Sequence, residues 1–376
     1  MRNFFDDIHG QERVKNILSN FNSTSKIPHA LLFTGPQGVG KEAIAVRFAQ
    51  SVNAVLLDGN EKEQVLRLIS NFSEPYLKYI LPLPRGKNES DSDGPIDKLS
   101  QDEIESLHEE IQKKIDNPYY TISLNNANTI KINSIREIKK FLSLDFSDIA
   151  YRFIILSSAH LMNEAAQNAL LKNLEEPPEG VIFLLITPYP ERLRETIRSR
   201  CWNINFDPLS LEDIADILVE SFDVDRKSAE LVAPFSGGSV STALKLFEMD
   251  IQLLSEKTIS ILRYSFGKKY HSAFEEFKLL LADRSTENIY LIIKMIITWL
   301  NDLQKHKLEI NHFFFKDYKE TLEKFNTKFP DVDLTNTVFH IDKLSSYLKN
   351  NINVNLLVAN IIFELSALTT KPAVKT

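Results

Sequence analysis

Apolar residues in the first two hundred positions fall into two alternating kinds of run. Val14, Ile17 and Leu18 within Gly10–Asn20 keep helical spacing, whereas Ala30-Leu31-Leu32-Phe33-Thr34 is a short unbroken run of the kind a buried strand makes. A helix is expected from Lys41 to about Gln50. Strand-like runs return at Tyr119–Leu124, Tyr151–Leu156 and Val181–Thr187, with helical stretches at Glu61–Ile80, Ser134–Leu144 and Asn163–Glu176. Asn163 is a cap for the last of these, and Pro177-Pro178 ends it. Strands separated by helices predict a parallel sheet covered on both faces. Residues 84–102 break the rhythm with polar, acidic and turn-forming residues. They are expected to form a mobile acidic surface loop inside an insertion spanning about 51–117.

After Phe206-Asp207-Pro208-Leu209 the strand signals stop. Ser210 and Asp213 form a capping-box pattern, Gly237-Gly238-Ser239 separates two helices, and the chain from about Asp250 is almost wholly helical. Three parts follow from this: an α/β core over 1–207, a small helical lid over 208–248 and an all-α domain over 249–376. Within Glu287–Lys305, Ile289, Ile292, Ile293, Ile296, Leu300 and Leu303 fill one helix face, and Leu291, Met295 and Trp299 extend it around the cylinder. Such a helix needs partners on more than one side, in a core or at a subunit interface. Lys294 interrupts the most apolar stretch, which falls short of the roughly 20 residues of a membrane span.

Composition narrows the class. The 376 residues carry a formal net charge of −7, so no basic excess advertises non-specific nucleic-acid binding. Cys201 is the single cysteine, which excludes an internal disulfide and a cysteine-rich zinc site and fits a reducing compartment. Residues Met1–Asp7 have no apolar core and acids early, so no signal peptide is expected and the location expected is cytoplasmic.

Gly35-Pro36-Gln37-Gly38-Val39-Gly40-Lys41 matches the phosphate-loop pattern and stands between a predicted strand and a predicted helix. Glycines there let backbone N–H groups wrap a phosphate, the helix N-terminus adds partial positive charge, and Lys41 reaches the outer phosphates. The next position calls for the Ser or Thr hydroxyl that holds magnesium, and Glu42 stands there instead. The strand Phe153–Leu156 is followed by Ser157-Ser158-Ala159-His160, where an acidic pair should hold the metal and orient water. With both ligands missing, efficient hydrolysis is not expected. His160 alone cannot replace two metal ligands and is expected to be a surface or helix-start histidine.

Ile8-His9-Gly10-Gln11-Glu12 and Pro28-His29-Ala30-Leu31-Leu32-Phe33 resemble the opening of the bacterial clamp-loader subunits of the AAA+ class. Asn168-Ala169-Leu170-Leu171-Lys172-Asn173-Leu174-Glu175-Glu176-Pro177-Pro178 is similar to that family's most characteristic run. Phe183–Thr187 and Leu193–Cys201 resemble its sensor strand and Ser-Arg-Cys motif. The matches are collinear over residues 1 to about 245. The resemblance implies a P-loop AAA+ module followed by a helical lid and an all-α collar, in a complex with gamma/tau and delta subunits of DNA polymerase III. That complex loads a sliding clamp onto primer–template DNA at the replisome.

The family's active members carry a second-sensor arginine where this chain has Ser241, so the resemblance adds a third loss to Glu42 and the Ser157-Ser158 pair. It also makes Arg200 an arginine finger, acting in trans on ATP held by a neighbouring subunit, with Arg194 and Arg198 as local competitors. No cofactor of its own is then required; weak ATP or ADP binding stays open, as does a gamma/tau-type ATPase with unusual magnesium ligands. Cys201 is expected to be a packing residue. Many relatives carry a four-cysteine zinc module after the phosphate-loop helix, but residues 51–117 hold no cysteine, and no metal site is expected. Ile130–Glu137 resembles the family helix that follows DNA phosphates, which makes Ser134 and Arg136 candidate DNA contacts.

Overall fold

Five short segments build one parallel sheet: β1 (Ala30–Thr34), β2 (Leu77–Ile80), β3 (Arg152–Leu156), β4 (Val181–Thr187) and β5 (Trp202–Asn205). Their order across the sheet is β2-β3-β4-β1-β5. This computed structural model describes residues 4–370 except 56, 144–148, 250, 281–285, 311–312 and 350–352. The central strand β4 is buried along its whole length, which is why its sequence is apolar from Val181 to Ile186 and does not alternate.

The pleat sends successive side chains to opposite faces. Leu31, Phe33, Phe153, Ile155, Leu184 and Ile186 meet α1 (Glu12–Thr24), α2 (Lys41–Ala54) and α3 (Gly59–Ser70) on one side. Ala30, Leu32, Ile154, Leu156, Phe183 and Leu185 form the other core. There they meet α5 (Ile132–Ser143), α6 (Glu164–Glu175) and α7 (Glu195–Arg198), while α4 (Gln101–Asp116) lies between α3 and α5 in the chain. The result is three layers, a parallel sheet with helices on both faces, as the pattern predicts. Asn163 caps α6 by accepting from the Ala166 N–H at 2.8 Å.

Two expectations are corrected. The stretch Glu61–Ile80 is not one helix, because α3 ends at Ser70 and β2 then pairs with β3 from Leu77↔Phe153 to Ile80↔Leu156. Tyr119–Leu124 is not a strand. Its backbone groups are taken by α4: the Glu110 carboxylate accepts from Ser123 N–H at 2.8 Å, and Lys114 Nζ donates to the Tyr120 carbonyl at 2.7 Å. Ile122 and Leu124 pack on Leu81, Leu83 and Leu107. The helix expected over Ser134–Leu144 is α5, and Leu144 lies outside the described residues.

The chain divides into two compact units, Met1–Ile217 with Gly238–Ser241, and Leu218–Gly237 with Thr242–Thr376. Residues 208–248 are therefore shared between them. They hold α8 (Leu211–Phe222), α9 (Arg226–Val232) and α10 (Val240–Glu248). The second unit adds α11 (Ile251–Phe266), α12 (Tyr270–Leu280), α13 (Thr286–Lys307), α14 (Lys319–Lys328), α15 (Leu334–Ser346) and α16 (Val354–Ala367). α13 is its core helix, with Ile289, Leu291, Ile292, Ile293, Met295, Ile296, Trp299, Leu300 and Leu303 all buried. No helix among the described residues is long and apolar enough to cross a membrane.

Asp302 interrupts this apolar cylinder while being fully buried. Its carboxylate accepts from the Phe314 and Phe315 N–H groups at 2.7 and 2.9 Å and faces Lys305 Nζ at 3.2 Å, so it ties the following loop to α13. Asp302→Ala removes the acceptor from both N–H groups and is expected to cost the helical unit about 2–4 kcal/mol. Urea unfolding followed by Trp299 fluorescence in a Trp202→Phe background measures this, and an unchanged midpoint contradicts it.

Candidate functional site

The phosphate loop leaves the end of β1 and enters α2, as the pattern requires. Gly38 and Gly40 have φ of 76° and 88°, a conformation glycine adopts without strain, and both are closely covered. A Cβ on Gly38 would lie 2.2 Å from the hydroxyls of Ser239 and Ser241, and one on Gly40 would lie 3.3 Å from the Tyr119 ring. The Val240 N–H donates to the Gly38 carbonyl at 2.9 Å, and Gln37 Nε2 donates to Thr121 Oγ1 at 3.3 Å. Pro36 and Gln37 are exposed, Gly35 is half-buried against the Phe206 carbonyl, and Val39 is buried.

Lys41 does not extend from the loop. Its ammonium donates to the Gly35 carbonyl at 2.7 Å and to the Pro36 carbonyl, folding back on the loop that should present it to a phosphate. Burial pulls its pKa from 10.5 to about 8, with Glu42 opposing and Lys114 assisting the fall.

Glu42 is the hub. Its carboxylate pairs with Lys114 Nζ and accepts from Ser157 Oγ. Tyr79 from β2 also interacts with it, and burial followed by the Glu42 charge pushes that phenol well above its usual value. Burial works to raise the Glu42 carboxyl, but the Lys114 ammonium, that ion's hydrogen bond and the Ser157 hydroxyl outweigh it. The carboxyl titrates below 4.5. Lys114 also donates to the Pro118 and Tyr120 carbonyls, each at 2.7 Å, and so lays residues 118–120 over the loop. The structure thus brings together four positions singled out in the sequence, Glu42, Ser157, Lys41 and Ser241. It also adds Lys114, Tyr119 and Tyr79, which carry no motif; nothing in the spacing separates Lys114 from its neighbour Lys113.

Ser158 is half-buried at φ 52° and begins the turn that holds His160. His160 Nδ1 is 3.0 Å from Thr187 Oγ1 at the end of β4, and its ring packs edge-on to Tyr189 at 5.0 Å.

Arg200 lies elsewhere, in the turn between α7 and β5. Its side chain is 36% exposed, pairs with Glu175 at 2.9 Å and donates to the Thr196 carbonyl at 2.9 Å. The two competing arginines are engaged within their own surface: Arg194 with Glu164 and Asn168, Arg198 with Glu195. Burial pushes the Cys201 thiol up to about 12, so it carries almost no thiolate at neutral pH.

The start of α5 is covered by the acidic loop. Glu89 is buried and accepts from Gly86 N–H at 2.8 Å, and from Lys131 Nζ and Asn133 Nδ2 at 2.7 Å each. Ser134 is buried, and exposed Arg136 donates to the Asp91 carbonyl at 2.6 Å. The loop expected to be solvated thus places a carboxylate on Lys131 and Asn133, the neighbours of Ser134, and a carbonyl on Arg136, one of the two candidate DNA contacts.

The fold and this loop define a P-loop protein with an internal ion pair at its phosphate cradle. The profile described as "DNA polymerase III, delta subunit" matches residues 10–210, and that described as "DNA polymerase III, delta subunit, C terminal" matches 258–367. The chain belongs to the DNA polymerase III delta subunit family. It is 25% identical over 363 residues to DNA polymerase III subunit delta' of Bacillus subtilis (strain 168), covering 94% of this chain and 96% of that protein. It is 28% identical over 252 residues to subunit tau of the same organism, covering 66% of this chain but only 38% of that protein's length. To subunit gamma of Buchnera aphidicola subsp. Schizaphis graminum (strain Sg) it is 28% identical over 320 residues, 82% of this chain and 76% of that one.

Breaking the Glu42–Lys114 pair by Glu42→Gln leaves a buried ammonium without its counter-ion and is expected to cost about 3 kcal/mol. The carboxyl's folded-state pKa lies below its unfolded value, so its contribution is complete above pH 4.5 and is lost as pH falls through the depressed value. Urea titrations from pH 7 down to pH 3 test this: the wild-type protein loses more stability than Glu42→Gln over that interval, and parallel curves refute the pairing.

Proposed function

We propose that this chain is the delta-prime subunit of a DNA polymerase III clamp loader: a non-hydrolysing AAA+ member that lends Arg200 to ATP held by an adjacent gamma/tau-type subunit. The observation that carries the reading is the state of its own cradle. The position that should hold magnesium is a carboxylate already neutralised by Lys114, the Ser157-Ser158 pair supplies no metal-binding acid, and Lys41 is bound to its own loop. These residues do not fit a magnesium–triphosphate. The near full-length likeness to a delta' subunit supports the same reading, since tau matches over part of its length only.

Arg200 suits the role because it is the arginine of the Ser-Arg-Cys run and reaches the surface on a short, well-anchored turn. In this reading a neighbour's phosphates displace Glu175, and the guanidinium then stabilises charge that develops on the transferred phosphoryl group. The chain requires no nucleotide of its own. It works in the cytoplasm as part of the polymerase holoenzyme, with gamma/tau and delta subunits, the sliding clamp and primer–template DNA as partners. Ser134 and Arg136 remain the candidate DNA contacts, reached once residues 89–91 move aside.

A second reading, a gamma/tau-type ATPase, draws on the intact Gly-x-x-x-x-Gly-Lys pattern and on the higher local identity to tau and gamma. The two differ in outcome. The purified chain is expected to show no ATP turnover. In the reconstituted complex, Arg200→Ala is expected to slow hydrolysis at the one site it faces by roughly 10³-fold or more, with assembly intact by gel filtration. Turnover by the isolated chain that disappears in Lys41→Ala selects the ATPase instead. Normal hydrolysis at every site of an Arg200→Ala complex removes the finger.

A further inference from the structure

The helical unit contains a cavity of about 270 Å3 between α11, α13 and α14, floored by Trp299 and Phe325 and walled by Phe266 and Phe329. The rings touch one another: Phe266 lies 4.6 Å from Phe325 and 5.6 Å from Trp299, and Phe329 lies 5.1 Å from Phe325. Phe266 and Phe329 are half-buried, so the cavity opens to the surface beside them. Trp299 is 1% exposed, and its indole N–H is buried with no acceptor among the described residues. A buried indole donor normally finds a partner.

The rim is cationic on a chain of net charge −7. Lys324 is paired with Glu320 at 2.6 Å. Arg263 donates to Thr321 Oγ1 at 3.4 Å, and Lys328 stands over the Phe329 ring at 5.3 Å. Among the described residues neither Arg263 nor Lys328 has a carboxylate at ion-pair distance. Nothing in the phosphate cradle or the arginine finger uses these groups.

We propose that this cavity docks an acidic peptide segment of a partner protein through one bulky apolar side chain. The cavity falls below the roughly 300–1,000 Å3 of small-molecule sites, so it suits a single anchor side chain better than a nucleotide or a cofactor. The aromatic walls take the anchor, the Trp299 N–H takes a carbonyl of the segment, and Arg263 and Lys328 take flanking carboxylates. The chain's own last six residues, Lys371–Thr376, carry two lysines and no acid, so their charge does not suit this rim.

The test uses the full chain with Trp202→Phe, which leaves Trp299 as the only tryptophan, and the probe acetyl-Asp-Glu-Phe-Asp-Asp-amide. A saturable change in Trp299 emission is expected, lost when the probe's Phe is replaced by Ala and weakened by salt. Lys328→Glu, at an exposed position, is expected to weaken binding about tenfold or more without moving the thermal midpoint. A flat titration into the millimolar range overturns the proposal. So does equal affinity in Lys328→Glu, or equal binding of a Lys-for-acid probe or of a decathymidylate oligonucleotide.

Discussion

Two opposite charges, Glu42 and Lys114, are held together where a P-loop fold would place a metal ion. Taking either from water alone is costly, and each makes the other's burial tolerable. The pairing fixes more than local charge. It fastens α4 to the start of α2, draws residues 118–120 across the phosphate loop, and leaves the Ser157 hydroxyl and the Tyr79 phenol as ligands of a carboxylate. Lys41, next to a second ammonium, donates to carbonyls of its own loop. The cradle keeps its backbone shape while its charges are consumed internally.

Arg200 sits in the opposite circumstances. It is partly exposed, bound by a single exposed carboxylate and one carbonyl, and such a pair contributes little stability and exchanges readily with a stronger anion. A buried, mutually satisfied cluster and a loosely held surface guanidinium stand on the same module, and the proposed role in trans draws on that contrast. The Glu89 cluster repeats the device at α5, where a buried carboxylate answers Lys131 and Asn133.

Much of the fold was legible because one period dominates each element. The apolar run of β4 marks a buried strand and the Asn163 cap fixes a helix start, whereas the all-round apolar surface of α13 called for burial without deciding between a core and a subunit interface. The errors came where local pattern and tertiary partner disagree. Tyr119–Leu124 alternates like a strand, yet α4 claims its backbone groups, and its apolar residues cover Leu81, Leu83 and Leu107. Leu77–Ile80 follows a helical stretch without a clear signal and becomes a strand only because β3 offers an open edge.

The residues of the cradle divide the same way. From the order of residues alone came the loop and the absent metal ligands at 42, 157 and 158, because these depend on residue type at fixed offsets from strand ends, whereas Ser241 and Arg200 drew notice only through the family resemblance. Only the folded chain showed what replaced the missing ligands. Lys114 lies 72 positions beyond Glu42 and Tyr79 lies 37 beyond it. Contacts across such separations are set by how helices and strands pack, and no local period encodes which of two adjacent lysines turns inward to meet a buried charge.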